Sequence, residues 1–525
     1  MNTSFLDKIG QLNRIGMALS AQTDIAKLLV EILTSAQQLT GADGGTFYRV
    51  LQGRQLSFDV VQNTSLAIAM GGSHHNPVPF PPIPLSLKDG KENLSAIASY
   101  VANKGETVNI DDIYLSKEFD FSGALKFDQT VNYLTKSMLT VPLKNVDKEV
   151  IGVLQLINST DKDGNLIPFS KESEGLAKSL ASQASVALIN RQLIEEHKQL
   201  FESFTKLVAD AIDKKSPYTG QHCQRVPVIT MMLAEATNQM KKGPLKDFYM
   251  NDTEKFELKT AAWLHDCGKL TTPDYVMDKA TKLETKYDRI ELLKTRLTLK
   301  AYENVFANAN CELDKQALET ELNKQQAVYH RLEAINTNEF LNDDDKAFIQ
   351  SLREQTYQTL EQDTQPFLSD DEFVNLNIQK GTLNDVERKK MQDHAAMSIA
   401  MLNVLPFPKE LKNVPEYAGG HHERMDGKGY PNHLTKDQLS IPARMMGIAD
   451  IFEALSAGDR PYKKAKKLSE SLRILGFLKL EGHIDPDLFD IFIEQEVYRE
   501  YAEKFLKPEQ IDEVIKTDIP GYEPK

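Results

Sequence analysis

Cysteine is scarce in this chain, with only Cys223, Cys267 and Cys311 among 525 residues. They are too few and too scattered for a disulfide framework or a thiolate zinc site, and a reducing cytoplasm is the expected location. Long apolar runs are missing as well. Nowhere do 18 consecutive apolar residues occur, and the start, MNTSFLDKIGQLNRIGMALS, lacks the basic, apolar and small-residue layout of a secretion signal, so no membrane segment is expected. Nor does positive charge prevail. A formal net charge of −14 argues against a protein that coats long nucleic acid by counterion release, while leaving room for a local basic pocket. What is present, 41% apolar and 26% charged residues, describes a globular chain long enough for two or three domains.

The first part alternates elements. IAKLLVEILTSAQQLTG sets Ile25, Leu29, Ile32, Ala36 and Leu39 on one helical face and stops at Gly41, a suitable C-terminal cap. TFYRVLQ, LSFDVVQN, MLTVPLK and VIGVLQLIN read as strands of an α+β domain. The order of helix, hairpin, long loop, LTVPL, IGVLQLIN and closing helix resembles a GAF domain over roughly residues 5 to 190. That resemblance implies a sensor domain whose ligand the sequence does not name. Members that bind cyclic nucleotides carry an Asn-Lys, Phe, Asp-Glu pattern. Asn158, Phe169 and Glu174 match it, but Ser159 and Ser173 replace the lysine and the aspartate, which counts against cyclic nucleotide binding. His74 and His75, in the loop GGSHHNPVPFPPIP, have no partner carboxylates and are expected to be solvated.

A helix without an interior proline is predicted from Ser170 onward, connecting the two halves over about 170–213. Val186, Leu193, Leu200 and Leu207 recur every seventh residue, with Asn190, His197, Phe204 and Ala211 in the complementary slot. This spacing fits the seam of a parallel coiled coil and hence a homodimer; a single long helix packed on its own domains is the alternative.

The second half is helical in periodicity. FELKTAAWLHDCGKL places His265 and Asp266 near the end of an apolar helix, followed by Gly268 and Lys269. An imidazole and a carboxylate side by side suit a borderline divalent ion. Taken alone, the pair reads equally as a buried histidine bonded to its neighbour. Other segments add to it: His222 in SPYTGQHCQRV, His394 in RKKMQDHAAMSIAML, His421 and His422 in HHERMDGKGYP, and Asp450 in RMMGIADIFEAL. HDCGK, HHERMDGKGYP, IADIFEAL and DRPYK resemble an HD-GYP domain in content and order, over roughly residues 200 to 525.

The resemblance implies an all-α HD-superfamily fold and a metal-dependent phosphodiesterase of bacterial second-messenger signalling. It implies two divalent ions, iron or manganese, bridged by Asp266, with His222, His265 and Asp450 on one side and His394, His421 and His422 on the other. Lys269, Arg460 and Lys463 match positions that hold substrate phosphates; for Arg460 and Lys463 the alternative is solvated charge in RPYKKAKK. Asp426, Gly427, Gly429, Tyr430 and Pro431 form a loop expected to shape the pocket mouth and to contact substrate or a protein partner. The implied substrate is a cyclic dinucleotide, cyclic di-GMP first and the mixed cyclic GMP-AMP second, cut to the linear dinucleotide or GMP. Two bridged ions suit that chemistry, since they acidify a shared water and neutralise charge at phosphorus. A receptor that binds without cutting, or a generic HD nucleotidase, is the competing reading; seven ligands argue against the first, and His394 with the 421–422 pair against the second.

Some family members hold a third ion through a glutamate four residues before the first histidine. Here that position is Tyr218, a poor ligand, and Glu202 and Glu235 lie too far along the chain, so a two-metal centre is expected. A long stretch separates His265 from His394, which compact members place on nearly consecutive helices. Residues 281–365 are read as a helical insertion, with Leu292, Leu299, Phe306 and Leu313 at seven-residue spacing suggesting a helical hairpin or a second dimer contact. The acidic run 343–345 is expected to be a solvated loop, and Asn384 with Glu387 a capping box for the helix of His394.

Overall fold

A computed structural model describes residues 3–51, 54–215, 220–307, 315–358, 363–458 and 465–523, with side chains from residue 8 onward. Tyr218, Cys311, Leu313, Arg460 and Lys463 lie outside the described residues. The chain divides into two compact units, Met1–Leu200 and Phe201–Lys525. Among the described residues no helix is long and apolar enough to cross a membrane.

The first unit opens with α1 (Thr3–Ala21) and α2 (Ile25–Thr40). Asp24 caps α2 by accepting the Ala26 and Lys27 N–H groups, and Gly41 ends it at φ 69°, a left-handed conformation that glycine adopts at little cost. Eight strands follow: β1 (Ala42–Leu51), β2 (Gln55–Asn63), β3 (Ile68–Gly71), β4 (Ile83–Pro84), β5 (Val108–Ile110), β6 (Met138–Lys144), β7 (Val150–Thr160) and β8 (Leu166–Ile167). They form one antiparallel sheet in the order β3-β2-β1-β7-β6-β5, with β4 on β2 and β8 on β7. Because side chains alternate along a strand, Phe47 and Leu154 enter a core with Leu29, Ile32 and Leu180, while Tyr48 and Val153 enter another with Ile97 and Val101. Ile97 and Val101 belong to α3 (Ile97–Lys104), between β4 and β5; α4 (Ser122–Val131) lies between β5 and β6.

The residues that match the cyclic-nucleotide pattern are engaged within this unit. Asn158 Nδ2 donates to Leu134 O at 2.6 Å and Tyr133 Oη at 2.9 Å, and its Oδ1 accepts the Lys136 N–H. Phe169 is buried, and Glu174 accepts from Asn109, Lys171 and Lys178. His74 reaches Gln62, and His75 is exposed.

The long helix α5 runs from Lys171 to Lys215. Its inward positions include Ala177, Leu180 and Ala184 early on and Thr205, Ala209 and Ile212 near the end. The seventh-residue series Val186, Leu193, Leu200 and Leu207 is exposed throughout, as is Phe204.

Helices build the second unit: α6 (His222–Asn238), α7 (Asp252–Leu264), α8 (Asp274–Met277), α9 (Ile290–Phe306), α10 (Lys315–Thr337), α11 (Asp343–Arg353), α12 (Asp370–Leu376), α13 (Asp385–Val404), α14 (Val414–Gly419), α15 (Ile441–Ser456), α16 (Leu468–Leu480), α17 (Pro486–Glu494) and α18 (Val497–Phe505). One core gathers Val226, Ile229 and Leu233 of α6, Leu258 and Ala261 of α7, Met446 and Phe452 of α15, and Phe492 and Tyr501 from the last helices. Residues Leu283 to Leu376 form a separate core with Ile290, Leu293, Leu297, Leu332, Ile349 and Phe367.

That second core revises the reading of the insertion. α9 and α10 pair as an antiparallel hairpin, with Tyr329 reaching Glu291 and Asn304 reaching Glu321. The face that packs carries Ile290, Leu293, Leu297 and Ala301, whereas Leu292, Leu299 and Phe306 point to solvent. The expected hairpin is thus present, but the seven-residue series is not the face that joins its helices, because a straight helix has 3.6 residues per turn and the offset series i, i+3, i+7 met the neighbour instead. The hairpin is followed by a small two-stranded ribbon, β9 (Thr356–Gln358) and β10 (Thr364–Pro366). Asp343, Asp344 and Asp345 are not loop. They form the first turn of α11, capped by Asn342, where carboxylates favour the positive end of the helix dipole. The capping box of Asn384 and Glu387 at α13 is present.

Candidate metal centre

Five elements deliver the predicted residues to one place. His222 begins α6, directly after Gln221 in a left-handed conformation at φ 72°. His265 and Asp266 follow the end of α7, and a single 3₁₀ turn, Cys267–Thr271, carries Lys269. Gly268 permits the close approach of that turn to α13: a Cβ there would stand 2.0 Å from His394 O, and its N–H donates to Ser398 Oγ at 2.8 Å. His394 lies within α13, His421 and His422 in the turn that leaves α14, and Asp450 within α15. Adjacent imidazoles on a regular helix diverge, and the helix end is what lets both face inward.

The two oxygens of Asp266 look in opposite directions. Oδ2 is 3.4 Å from His222 Nε2, 3.2 Å from His265 Nε2 and 2.6 Å from Lys269 Nζ, while Oδ1 is 3.3 Å from His394 Nε2 and 4.0 Å from His421 Nε2. Asp450 Oδ1 lies 3.1 Å from His222 Nε2 and its Oδ2 4.0 Å from His422 Nδ1. Two trios, His222, His265, Asp450 and His394, His421, His422, each bring their ligand atoms within 4.8 Å of one another, and His265, Asp266 and His421 form a third group.

Backbone carbonyls set the tautomers. His265 Nδ1 is 2.7 Å from Ala262 O, His421 Nδ1 is 2.5 Å from Ala418 O, and His394 Nδ1 faces Met391 O. A carbonyl only accepts, so each Nδ1 carries the proton and each Nε2 turns a lone pair to the centre. The lone pairs of His265 and His394 each face a second ring nitrogen, His222 Nε2 at 3.3 Å and His422 Nε2 at 3.2 Å. Asp266 Oδ1 and His421 Nε2 are buried without a hydrogen-bond partner. Such atoms are costly unless a cation meets them, and a nitrogen and oxygen donor set suits a divalent transition metal.

Electrostatics separate the rings. Burial, then the neighbouring His265, pushes His421 down to about 3, and burial with His421 beside it holds His422 well below the ordinary range, so both rings stay neutral. At His222 burial pulls down, but Asp266, Asp450 and Glu453 together outweigh it and raise the ring well above the ordinary value. Burial likewise opposes ionisation of Asp266, and Lys269, His265 and His222 overcome it.

Two carboxylates of the site, Glu453 and Glu423, were not foreseen. Glu453, one turn after Asp450, is buried and meets His222 Nδ1 at 2.5 Å and Arg225 Nε at 2.6 Å. Its spacing of three from Asp450 on one helix was the available signal. Glu423 accepts the N–H groups of Asn432 and Leu434 at 2.7 and 2.9 Å and so folds the loop back. Within that loop Gly427 takes φ 75°, Asp426 accepts from Arg424, and Gly429 approaches Glu423 so closely that a Cβ would lie 2.5 Å from its Cα. Tyr430, before Pro431, packs at a tilt against His422 with ring centroids 4.7 Å apart. Lys269 is at the centre, its ammonium on Asp266.

Residues 24–188 match the GAF domain family and residues 370–488 the HD domain family. The second match contains His394, His421, His422 and Asp450; His222, His265 and Asp266 reach the same cluster from outside it. The 3'3'-cGAMP-specific phosphodiesterase 3 of Vibrio cholerae is 24% identical over 314 residues, 59% of this chain and 43% of that protein. The 3'3'-cGAMP-specific phosphodiesterase 1 of the same organism is 36% identical over 113 residues, 22% of this chain and 25% of that one. A cyclic di-GMP phosphodiesterase of Pseudomonas aeruginosa is 42% identical over 73 residues, 14% and 17% of the respective chains. The chain thus spans less than half the length of these relatives.

Proposed function

The chain joins a GAF domain to an HD domain, and from that premise we propose a metal-dependent phosphodiesterase that hydrolyses a cyclic dinucleotide. The observation that carries this reading is the Asp266 carboxylate, each oxygen of which faces its own trio of ligand atoms. In this reading two divalent ions, iron or manganese, sit in those trios, and when bound they supply an acidified water as nucleophile and positive charge at the phosphate. His222, His265 and Asp450 hold one, His394, His421 and His422 the other, and Asp266 spans both. Lys269 keeps Asp266 ionised and stands within reach of a substrate phosphate, with Arg460 and Lys463 as further phosphate contacts. Tyr430 covers His422 and, with Asp426, Gly427, Gly429 and Pro431, shapes the side from which substrate or a protein partner arrives.

Cyclic di-GMP is the first substrate by the resemblance of the motifs. The names of the two Vibrio cholerae relatives support 3'3'-cGAMP as the second reading. Incubating anaerobically metal-loaded protein with each dinucleotide and separating the products decides between them; no hydrolysis of either overturns the enzyme and leaves a receptor.

Control belongs to the same reading. The exposed series Val186, Leu193, Leu200 and Leu207 supports a homodimer seam along α5, through which a GAF ligand reaches the α6 start that bears His222. Leu200→Glu is expected to convert the dimer to monomer in sedimentation, and a wild-type chain that sediments as a monomer removes the seam.

A further inference from the structure

The insertion leaves and rejoins the metal-bearing helices at one buried cation. Lys279, just before the insertion, has a fully buried side chain. Its Nζ donates to both oxygens of Glu387 at 2.8 and 2.7 Å and to Asn375 Oδ1 at 2.9 Å. Asn375 lies in α12, where the insertion returns, and Glu387 lies in the first turn of α13. Asn384 closes the group: its Nδ2 donates to Asn375 Oδ1 at 3.2 Å, and its N–H donates to Glu387 Oε2 at 3.0 Å. Thr382 Oγ1 donates to Lys279 O at 3.0 Å. The three protons of the ammonium thus find three acceptors, one from the far neck of the insertion and two from the helix that carries His394.

A buried ion pair is a weak source of stability relative to apolar packing of equal volume, and its best-attested use is to fix register. Register is what α13 requires. Glu387 and His394 stand seven residues apart, about two turns of helix, so they share a face. Sliding or rotating α13 moves His394 Nε2 relative to Asp266 Oδ1, 3.3 Å away, and to His422 Nε2, 3.2 Å away. His222, His265 and Asp450 come from other elements. A capping box alone would start the helix without tying it to the insertion.

We propose that Lys279 is a positioning residue for the ion held by His394, His421 and His422, and that the insertion governs retention of that ion through the contact of Lys279 with Glu387. The inference rests on the two-ion reading above.

The test uses the full chain with Lys279→Met, reconstituted anaerobically with Mn(II), and reads bound metal per chain and the electron paramagnetic resonance spectrum. Wild-type protein is expected to hold two ions with a spin-coupled spectrum. The variant is expected to keep wild-type helicity, to retain one ion with the uncoupled hyperfine pattern of isolated Mn(II), and to bind the second at least about tenfold more weakly. Should Lys279→Met not fold, Asn375→Ala, which removes one acceptor, decides by a smaller weakening of the same ion. A folded variant with two coupled ions at wild-type affinity overturns the proposal, whatever its melting temperature, and so does equal loss of both ions. Wild-type protein that binds no metal overturns instead the phosphodiesterase reading, and this inference with it.

Discussion

His222 and Glu453 stand 231 positions apart in the chain, yet the imidazole Nδ1 lies 2.5 Å from the carboxylate Oε2. A carboxylate behind a metal-facing histidine fixes the ring and its tautomer and raises its basicity. Glu453→Gln is expected to weaken metal affinity about tenfold to a hundredfold, with activity partly restored at higher metal concentration. Titration of the metal-free protein checks this, and unchanged affinity denies Glu453 the role.

Asp266 separates two kinds of loss. Asp266→Ala removes the carboxylate that faces both trios and is expected to lose metal and turnover together, whereas Arg460→Ala is expected to keep metal and raise KM. Metal analysis beside steady-state kinetics distinguishes them. Full turnover by Asp266→Ala would sink the assignment of the centre.

Gly268 is a packing constraint inside the HDCGK motif. A Cβ would stand 2.0 Å from His394 O and 2.6 Å from Ser398 N, both backbone atoms that cannot swing aside. Gly268→Ala should cost ~3 kcal/mol by overpacking and displace α13 from Asp266. Thermal denaturation and metal content should fall together; a variant that melts with wild type shows that the turn can move.

Glu174 links the first unit to pH. The hydrogen bond from Lys178 chiefly, opposed by burial and assisted by Asn109 and Lys171, holds its carboxyl down to about 2 from an ordinary 4.5. A folded value below the unfolded one contributes stability that is complete above about pH 4.5 and is lost as pH falls toward 2. Glu174→Gln should therefore be less stable at neutral pH and show a flatter stability curve across that window. Denaturant midpoints followed by circular dichroism check it, and an unchanged slope rejects the coupling.

Local signals survived into the fold where they depended on a few neighbouring residues. Gly41 ended α2, Asn384 and Glu387 began α13, and alternation along β1 and β7 produced two buried faces, because caps and pleats act within a turn or a strand. The clustered histidines and aspartates were legible as motifs, since their chemical type and order can be read without coordinates. What separated the sequence from the site was distance along the chain. The opposed oxygens of Asp266, the Glu453 carboxylate behind His222 and the meeting of Lys279 with Glu387, 108 positions away, exist only once helices pack. The face by which α9 meets α10 was likewise decided by its neighbour: an apolar spacing of seven was present on one side, and the side carrying Ile290, Leu293 and Leu297 was the one that packing removed from water.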